Sequence, residues 1–202
     1  MPQDIELHKT VGNARQTGPK ALVALGGNVA SHVGGPDQTL RAALARLVDL
    51  GLHVEAASRF YATPCFPVGS GPDYINSAAI LSGGNDPHEV LTILHQVEAA
   101  FGRARDTRWG QRTLDLDLIA MGDIVLPDRD TFVTWRNLPL DQQMTLTPDH
   151  LILPHPRLQD RAFVLIPLAE IAPGWKHPIS GLTVAEMAAA LPEDEKTAVK
   201  PL

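Results

Sequence analysis

The stretch Thr113-Leu114-Asp115-Leu116-Asp117-Leu118-Ile119 decides how this chain reads. Its apolar–acidic alternation is a strand period, because side chains two apart in a strand share a face. Leu114, Leu116 and Leu118 are therefore expected to face a core, while Asp115 and Asp117 project together from the other side. Aspartate is disfavoured in strands, and like charges on one face repel, so a cation should compensate them. A Mg²⁺ pair held by carboxylates on a rigid strand is the natural candidate. A bare D-x-D also fits the polar face of a half-exposed strand. What favours chemistry is the segment just upstream, where Arg103, Arg105, Arg108, Trp109 and Arg112 follow in quick succession. Carboxylates for metal beside guanidiniums for phosphate oxygens equip a site for phosphoryl transfer.

Composition sets broader bounds. The chain has 202 residues, 44% hydrophobic and 20% charged, which suits one globular domain with a substantial core. A formal net charge of -6 argues against a general nucleic-acid binder, which would present a basic surface. A local basic loop on an acidic protein suits a small anionic ligand better. The single cysteine, Cys65, precludes an internal disulfide and agrees with a reducing compartment. No apolar run reaches membrane-spanning length. Residues 1–20 are polar and read as a loose N-terminal tail ahead of a single domain over 21–202. The expectation is a cytoplasmic monomer with neither nucleic-acid nor membrane partners.

Outward from the acidic strand, periodicity orders the rest. Ala21 to Leu25 reads as a buried strand ended by Gly26-Gly27-Asn28, and Pro36 to Leu50 as a helix stopped by Gly51. One strand is expected from about His53 to Tyr61, then a breaker-rich loop from Thr63 to Pro72, then a strand from Tyr74 to Leu81. Asp86, Pro87 and Glu89 have the pattern of a capped helix start, and that helix should end at Gly102. Strand, helix, strand, strand, helix, strand is the split βαβ pattern of an α+β, ferredoxin-like βαββαβ core, a mostly antiparallel sheet with helices packed on it. Between Leu126 and Pro148 the periodicity fails. This stretch, about 126–150, is expected to be an excursion with few buried contacts, dispensable for the core fold. Helices are expected again around Phe163 to Ile171 and Thr183 to Leu191.

Arg108-Trp109-Gly110-Gln111-Arg112-Thr113-Leu114-Asp115-Leu116-Asp117 closely resembles the signature of the 6-hydroxymethyl-7,8-dihydropterin pyrophosphokinase family. Gly27-Asn28 resembles the family's opening motif, and Phe60-Tyr61-Ala62-Thr63-Pro64 with Pro72-Asp73-Tyr74-Ile75-Asn76 its pterin-side strands and loop. Glu98, Gly102, Arg103 and Arg105 are similar to its second helix and following loop. Pro154-His155-Pro156-Arg157 with Arg161, Phe163 and Ile171-Ala172-Pro173 is similar to its C-terminal signature. Several blocks in the expected order, from about Leu22 to Leu191, say far more than one short pattern. Gln111 departs from the family, standing where a proline is frequent, and the excursion and the tail are extra.

The resemblance implies transfer of the diphosphate of ATP to the hydroxymethyl group of the pterin, giving AMP, in folate biosynthesis. It assigns two Mg²⁺ ions to Asp115 and Asp117, and phosphate stabilisation to Arg112 and Arg103. Nucleotide contacts fall to Glu98, Arg105, Trp109, Arg112, His155 and Arg161. The pterin falls to Tyr74 and Phe163 as stacking faces, Asn76 as the amide, and Thr63 and Phe66 at the pocket border. Blander readings stand beside these. Arg103 can serve the helix dipole, Arg105 and Arg108 can be solvated loop charges, and His155 can brace a turn between two prolines. Phe163 can be core, and Glu98 can be a solvent-facing helix residue. Three rivals share parts of the pattern: a ferredoxin-like RNA-binding module, a two-metal phosphodiesterase using water, and a silent homologue that only binds.

Overall fold

The computed structural model describes residues 18–65, 69, 71–102, 112–139, 142 and 145–202. Its elements run β1 (Ala21–Gly27), α1 (Pro36–Asp49), β2 (His53–Ala57), β3 (Tyr61–Thr63), β4 (Tyr74–Ser82), α2 (Pro87–Ala100) and β5 (Asp115–Met121). Then follow α3 (Arg129–Arg136), α4 (Ala162–Ile171), α5 (Val184–Ala190), α6 (Glu193–Ala198) and β6 (Lys200–Pro201). The sheet is ordered β5-β1-β4-β3-β6, with β2 also on β4. All its strand pairings are antiparallel. This is the expected ferredoxin-like α+β core.

Local chemistry starts and stops the helices that cover it. Asp86 accepts the amides of His88 at 2.6 Å and Glu89 at 3.3 Å, which caps α2. Gly102, at φ +79°, ends α2 in the left-handed conformation that glycine adopts without steric cost. The side chains of β1 then divide the core between the two sheet faces. Ala21, Val23 and Leu25 join Leu40 and Leu47 of α1 and Leu94 and Val97 of α2 on one face. Leu22 and Ala24 join Leu165 and Leu168 of α4 and Val184 and Met187 of α5 on the other. No helix among the described residues is long and apolar enough to cross a membrane.

Two expectations need correction. The strand predicted from His53 to Tyr61 is really two, β2 and β3, because Ser58 interrupts the ladder between them. Its hydroxyl accepts the amide of Ala78 at 2.9 Å while its own amide donates to the Ala78 carbonyl at 2.9 Å. The excursion, expected to bury little, contains α3, capped by Asp128 accepting the Thr131 amide at 2.9 Å. Phe132 on α3 is fully buried. Leu126 and Leu153 exchange backbone bonds of 2.9 and 3.1 Å at the excursion's ends, so it is tied off rather than loose.

Phe132 lies against the ring of His177, with centroids 5.5 Å apart, and His177 lies against Trp175 at 5.9 Å. His177 is itself buried, and its Nδ1 accepts the amides of Ile179 at 3.1 Å and Ser180 at 3.3 Å. Burial, with Arg136 adding to it, pushes its pKa down to about 4. Phe132→Ala is expected to destabilise the protein by about 3–5 kcal/mol, read as a lower urea midpoint at unchanged slope. His177 adds a pH dependence of known sign. Its folded pKa lies below the unfolded value, so the unfolded chain binds the extra proton and stability falls as pH drops from about 6.5 towards 4. Between pH 7 and 4, wild type should lose about 3 kcal/mol more than His177→Gln. Parallel pH–stability curves for the two proteins would refute this.

Candidate active site

Because Leu114, Leu116 and Leu118 are buried in the layer of α1 and α2, Asp115 and Asp117 leave β5 on the opposite face, towards α4. Both are partly exposed, their side chains at 19% and 38%. Each carboxylate carries an arginine: Arg112 pairs with Asp115, and Arg161 Nη1 lies 3.3 Å from Asp117 Oδ2. Arg112 lies three residues before the start of β5 and Arg161 immediately precedes α4, so a loop and a helix entrance converge on one strand face. For Arg112 burial works against the charge, but the Asp115 carboxylate outweighs it and the guanidinium pKa is raised.

The end of β1 holds this corner in place. A Cβ on Gly27 would stand 2.6 Å from the Thr113 carbonyl oxygen, so only glycine allows the strands to approach so closely. Asn28, buried, then joins three segments. Its amide donates to the Arg112 carbonyl at 2.9 Å, its Oδ1 accepts the Arg112 amide at 2.9 Å, and its Nδ2 donates to the Pro72 carbonyl at 3.2 Å. Glu98, on α2, is only 1% exposed and accepts the Leu116 amide at 2.7 Å. It is therefore not a solvent-facing helix residue. Its contact seats β5 from behind, which the helix periodicity alone did not indicate.

On the other side of β1, Thr63 and Asn76 are both buried, and Asn76 Nδ2 donates to Thr63 Oγ1 at 2.7 Å. A Cβ on Gly26 would meet Asn76 Oδ1 at 2.9 Å, so the amide lies close over β1. Tyr74 stands opposite Thr63 in the ladder. Burial raises its phenol pKa, with Arg112 opposing that shift and Asp115 adding to it, which ties Tyr74 to the arginine–carboxylate corner. Phe163 is 41% exposed and therefore not core. The Arg161 guanidinium lies 5.8 Å from its ring centroid, an edge-of-range cation–π contact.

His155 is anchored by its amide to the Ile119 carbonyl at 2.7 Å, and its Nδ1 accepts the Arg157 amide at 3.1 Å. Burial lowers its pKa well below the ordinary value, and Arg161 and Arg157 lower it further. The ring is neutral at pH 7, and with Nδ1 accepting, its proton resides on Nε2 as a donor. Phe66, Arg103, Arg105, Arg108, Trp109 and Gln111 lie outside the described residues.

The corner therefore combines a carboxylate pair, two arginines and a donor histidine, with the polar and aromatic side chains of Thr63, Asn76 and Tyr74 beyond β1. The model of the 7,8-dihydro-6-hydroxymethylpterin-pyrophosphokinase family matches residues 22–173. This chain belongs to that family. A pyrophosphokinase of Synechocystis is 40% identical over 168 residues, covering 83% of this chain and 73% of that protein. Its counterpart from Pseudomonas aeruginosa is 34% identical over 174 residues, covering 86% and 92%. Among solved structures, the HPPK-DHPS protein of Plasmodium falciparum superposes with a TM-score of 0.61 at 14% identity, covering 87% of this chain. This chain spans only 44% of that longer protein, and the likeness at such low identity speaks to the fold. The pyrophosphokinase is an ATP-dependent enzyme of folate synthesis, moving the diphosphate of ATP onto the hydroxymethyl group of the dihydropterin.

Two features of this corner carry little signal in the sequence. One is the threefold role of Asn28, noted only as part of a motif, although an asparagine directly after a buried strand and two glycines is a signal for backbone bridging. The other is Cys65, whose thiol donates to the Gly71 carbonyl at 3.0 Å across the breaker-rich loop. Gly27→Ala should push the Thr113 carbonyl away and shift the start of β5. The expected cost is about 1–3 kcal/mol of stability, with a drop in kcat/KM larger than that loss accounts for when assayed well below the melting temperature. An alanine variant with wild-type kcat/KM would show that the strand approach does not set the corner.

Proposed function

We propose that Asp115 and Asp117 hold Mg²⁺ for the diphosphate transfer, with Arg112 and Arg161 turning from the carboxylates to the phosphates when the nucleotide enters. The observation carrying this reading is that both carboxylates share one strand face and each is paired with a partly exposed guanidinium. The donor set fits the metal: Mg²⁺ is commonly held by one or two carboxylates together with substrate phosphates and waters. Among the described residues there is no cluster of three or more His, Cys, Asp or Glu side chains, so the aspartate pair would supply part of such a shell. When bound, Mg²⁺ would neutralise phosphate charge and polarise the attacking hydroxyl.

The chain's own groups supply the rest. Guanidinium forks suit phosphate oxygens better than ammonium groups do. His155 offers only a donor at Nε2, which suits a phosphate oxygen and not a cation. Asn76 can both donate and accept towards a pterin edge, while Tyr74 and the exposed ring of Phe163 offer faces for the ring system. Arg103, Arg105 and Trp109 would complete the nucleotide side, and Thr63 and Phe66 the pterin border. In the transfer the hydroxymethyl oxygen bonds to the β-phosphorus of ATP, the bond from that phosphorus to the α–β bridging oxygen breaks, and AMP leaves. The hydroxyl proton is released in the same step. We take the working unit to be a monomer in the cytoplasm.

The reading is tested by AMP release with and without 6-hydroxymethyl-7,8-dihydropterin. AMP formed only when the pterin is present is expected, and pterin-independent release would favour a phosphodiesterase. Asp115→Asn and Asp117→Asn keep side-chain volume but remove the charge, so each should lower kcat by about 10²-fold or more while the fold survives. Full activity of either variant at ordinary Mg²⁺ concentration would sink the metal assignment.

A further inference from the structure

The family match ends at residue 173, yet the chain goes on to lay α5 and α6 against α4 and to add β6 to the sheet beside β3. The last of these pairs with β3, the strand that carries Thr63 beside Tyr74 and Asn76 of β4. β3 is three residues long and meets β4 at Tyr61↔Asn76, Ala62↔Ile75 and Thr63↔Tyr74. Its backbone therefore fixes where Tyr74 and Asn76 lie, and its Thr63 hydroxyl orients the Asn76 amide. The outer edge of β3 is occupied by β6, which pairs Pro201 with Tyr61 and Lys200 with Ala62. The Leu202 amide adds a bond of 2.9 Å to the Phe60 carbonyl.

Just before β6, Val199 is buried in the same cluster as Tyr61 and Leu165. α6 also faces both feet of the breaker-rich loop. Pro64 at one foot and Asp73 at the other line a cleft of about 230 Å³ together with Asp194, Thr197 and Lys200. The carboxylate strand β5 is at the opposite edge of the sheet, separated from β3 by β1 and β4.

From this layout we infer that the segment from α6 through β6 is a positioning element for the pterin, acting through β3 and the loop feet, with no part in nucleotide binding. A three-residue strand bonded on one side only would fray at the point where the loop begins. With β6 added, β3 becomes an internal strand, and Thr63 is held where it can orient Asn76. The inference rests on the reading that Thr63, Tyr74 and Asn76 receive the pterin.

Two variants test it. Deleting residues 200–202 removes β6 but keeps Val199 in the core. Leu202→Pro removes only the donor to Phe60, at a side chain that is 69% exposed, and remains informative if the deletion does not fold. Calorimetry would compare two affinities in each protein: that of a non-hydrolysable ATP analogue with Mg²⁺, and that of 6-hydroxymethyl-7,8-dihydropterin added to the analogue complex. The deletion should weaken pterin binding about tenfold and Leu202→Pro about threefold, as expected for losing a few edge hydrogen bonds. Analogue affinity should stay at the wild-type value. Unchanged pterin affinity in both variants would overturn the inference. So would equal losses of pterin and analogue affinity, which would mark a general loosening of the fold. Wild-type protein that binds the analogue but no pterin would overturn the substrate assignment, and the inference with it.

Discussion

Two carboxylates on one face of one strand, two residues apart, are an arrangement that a fold must compensate, and most of this site follows from that compensation. Like charges so placed repel, and aspartate gives a strand neither bulk nor branching. Each carboxylate instead receives a guanidinium from a different part of the chain, Arg112 from the segment entering β5 and Arg161 from the entrance to α4. The charges face the C-terminal helices because the leucines between them are buried against α1 and α2. The periodicity of one strand thus decides which layer of the protein bears the chemistry and which layer only supports it.

The supporting layer is tighter than a surface strand would need. Gly27 lets β1 approach the Thr113 carbonyl, Asn28 ties down the backbone of Arg112, and Glu98 takes the Leu116 amide from α2. None of these groups need meet a substrate to matter, because a small shift of β5 would move both carboxylates and one arginine together. The same Asn28 reaches Pro72 through its Nδ2. A single buried amide therefore links the carboxylate corner to the loop that leads into Tyr74 and Asn76.

Much of this was legible in the sequence, and the exceptions have physical causes. The alternation around Asp115 and Asp117 was readable because β5 has one face in a dry core, which forces strict periodicity. The two core helices were readable for the same reason. The break between β2 and β3 was hidden because the Ser58 hydroxyl takes the Ala78 amide while its own amide keeps the Ala78 carbonyl, and a serine within an otherwise regular strand gives no sign of that. The excursion misled because α3 has only eight residues, too few turns to establish a period. It buries a single large ring, Phe132, against His177, a partner far along the chain. Glu98 was ambiguous because helix spacing places a residue on a face but cannot tell what covers that face. Phe163 was open for a related reason: it sits in an apolar run whose neighbours are core, and only its exposure rules out the core alternative.

The modest strength of the two ion pairs suits them to the proposed function, in which the arginines would change partners. Partly exposed pairs such as these contribute on the order of 0–1 kcal/mol each, so they order the corner without locking it. A polyphosphate offers the same guanidiniums several charge-assisted oxygens at once, each roughly twice as strong as a neutral hydrogen bond. In the proposed function that exchange would be downhill for the arginines, and it would leave the aspartates to receive the cation that accompanies the nucleotide. A buried pair would behave differently, since separating it would strand an uncompensated charge at a cost of about 3–5 kcal/mol. The partial exposure of Asp115 and Asp117, with the leucines between them buried, is the arrangement that the proposed exchange of partners would need.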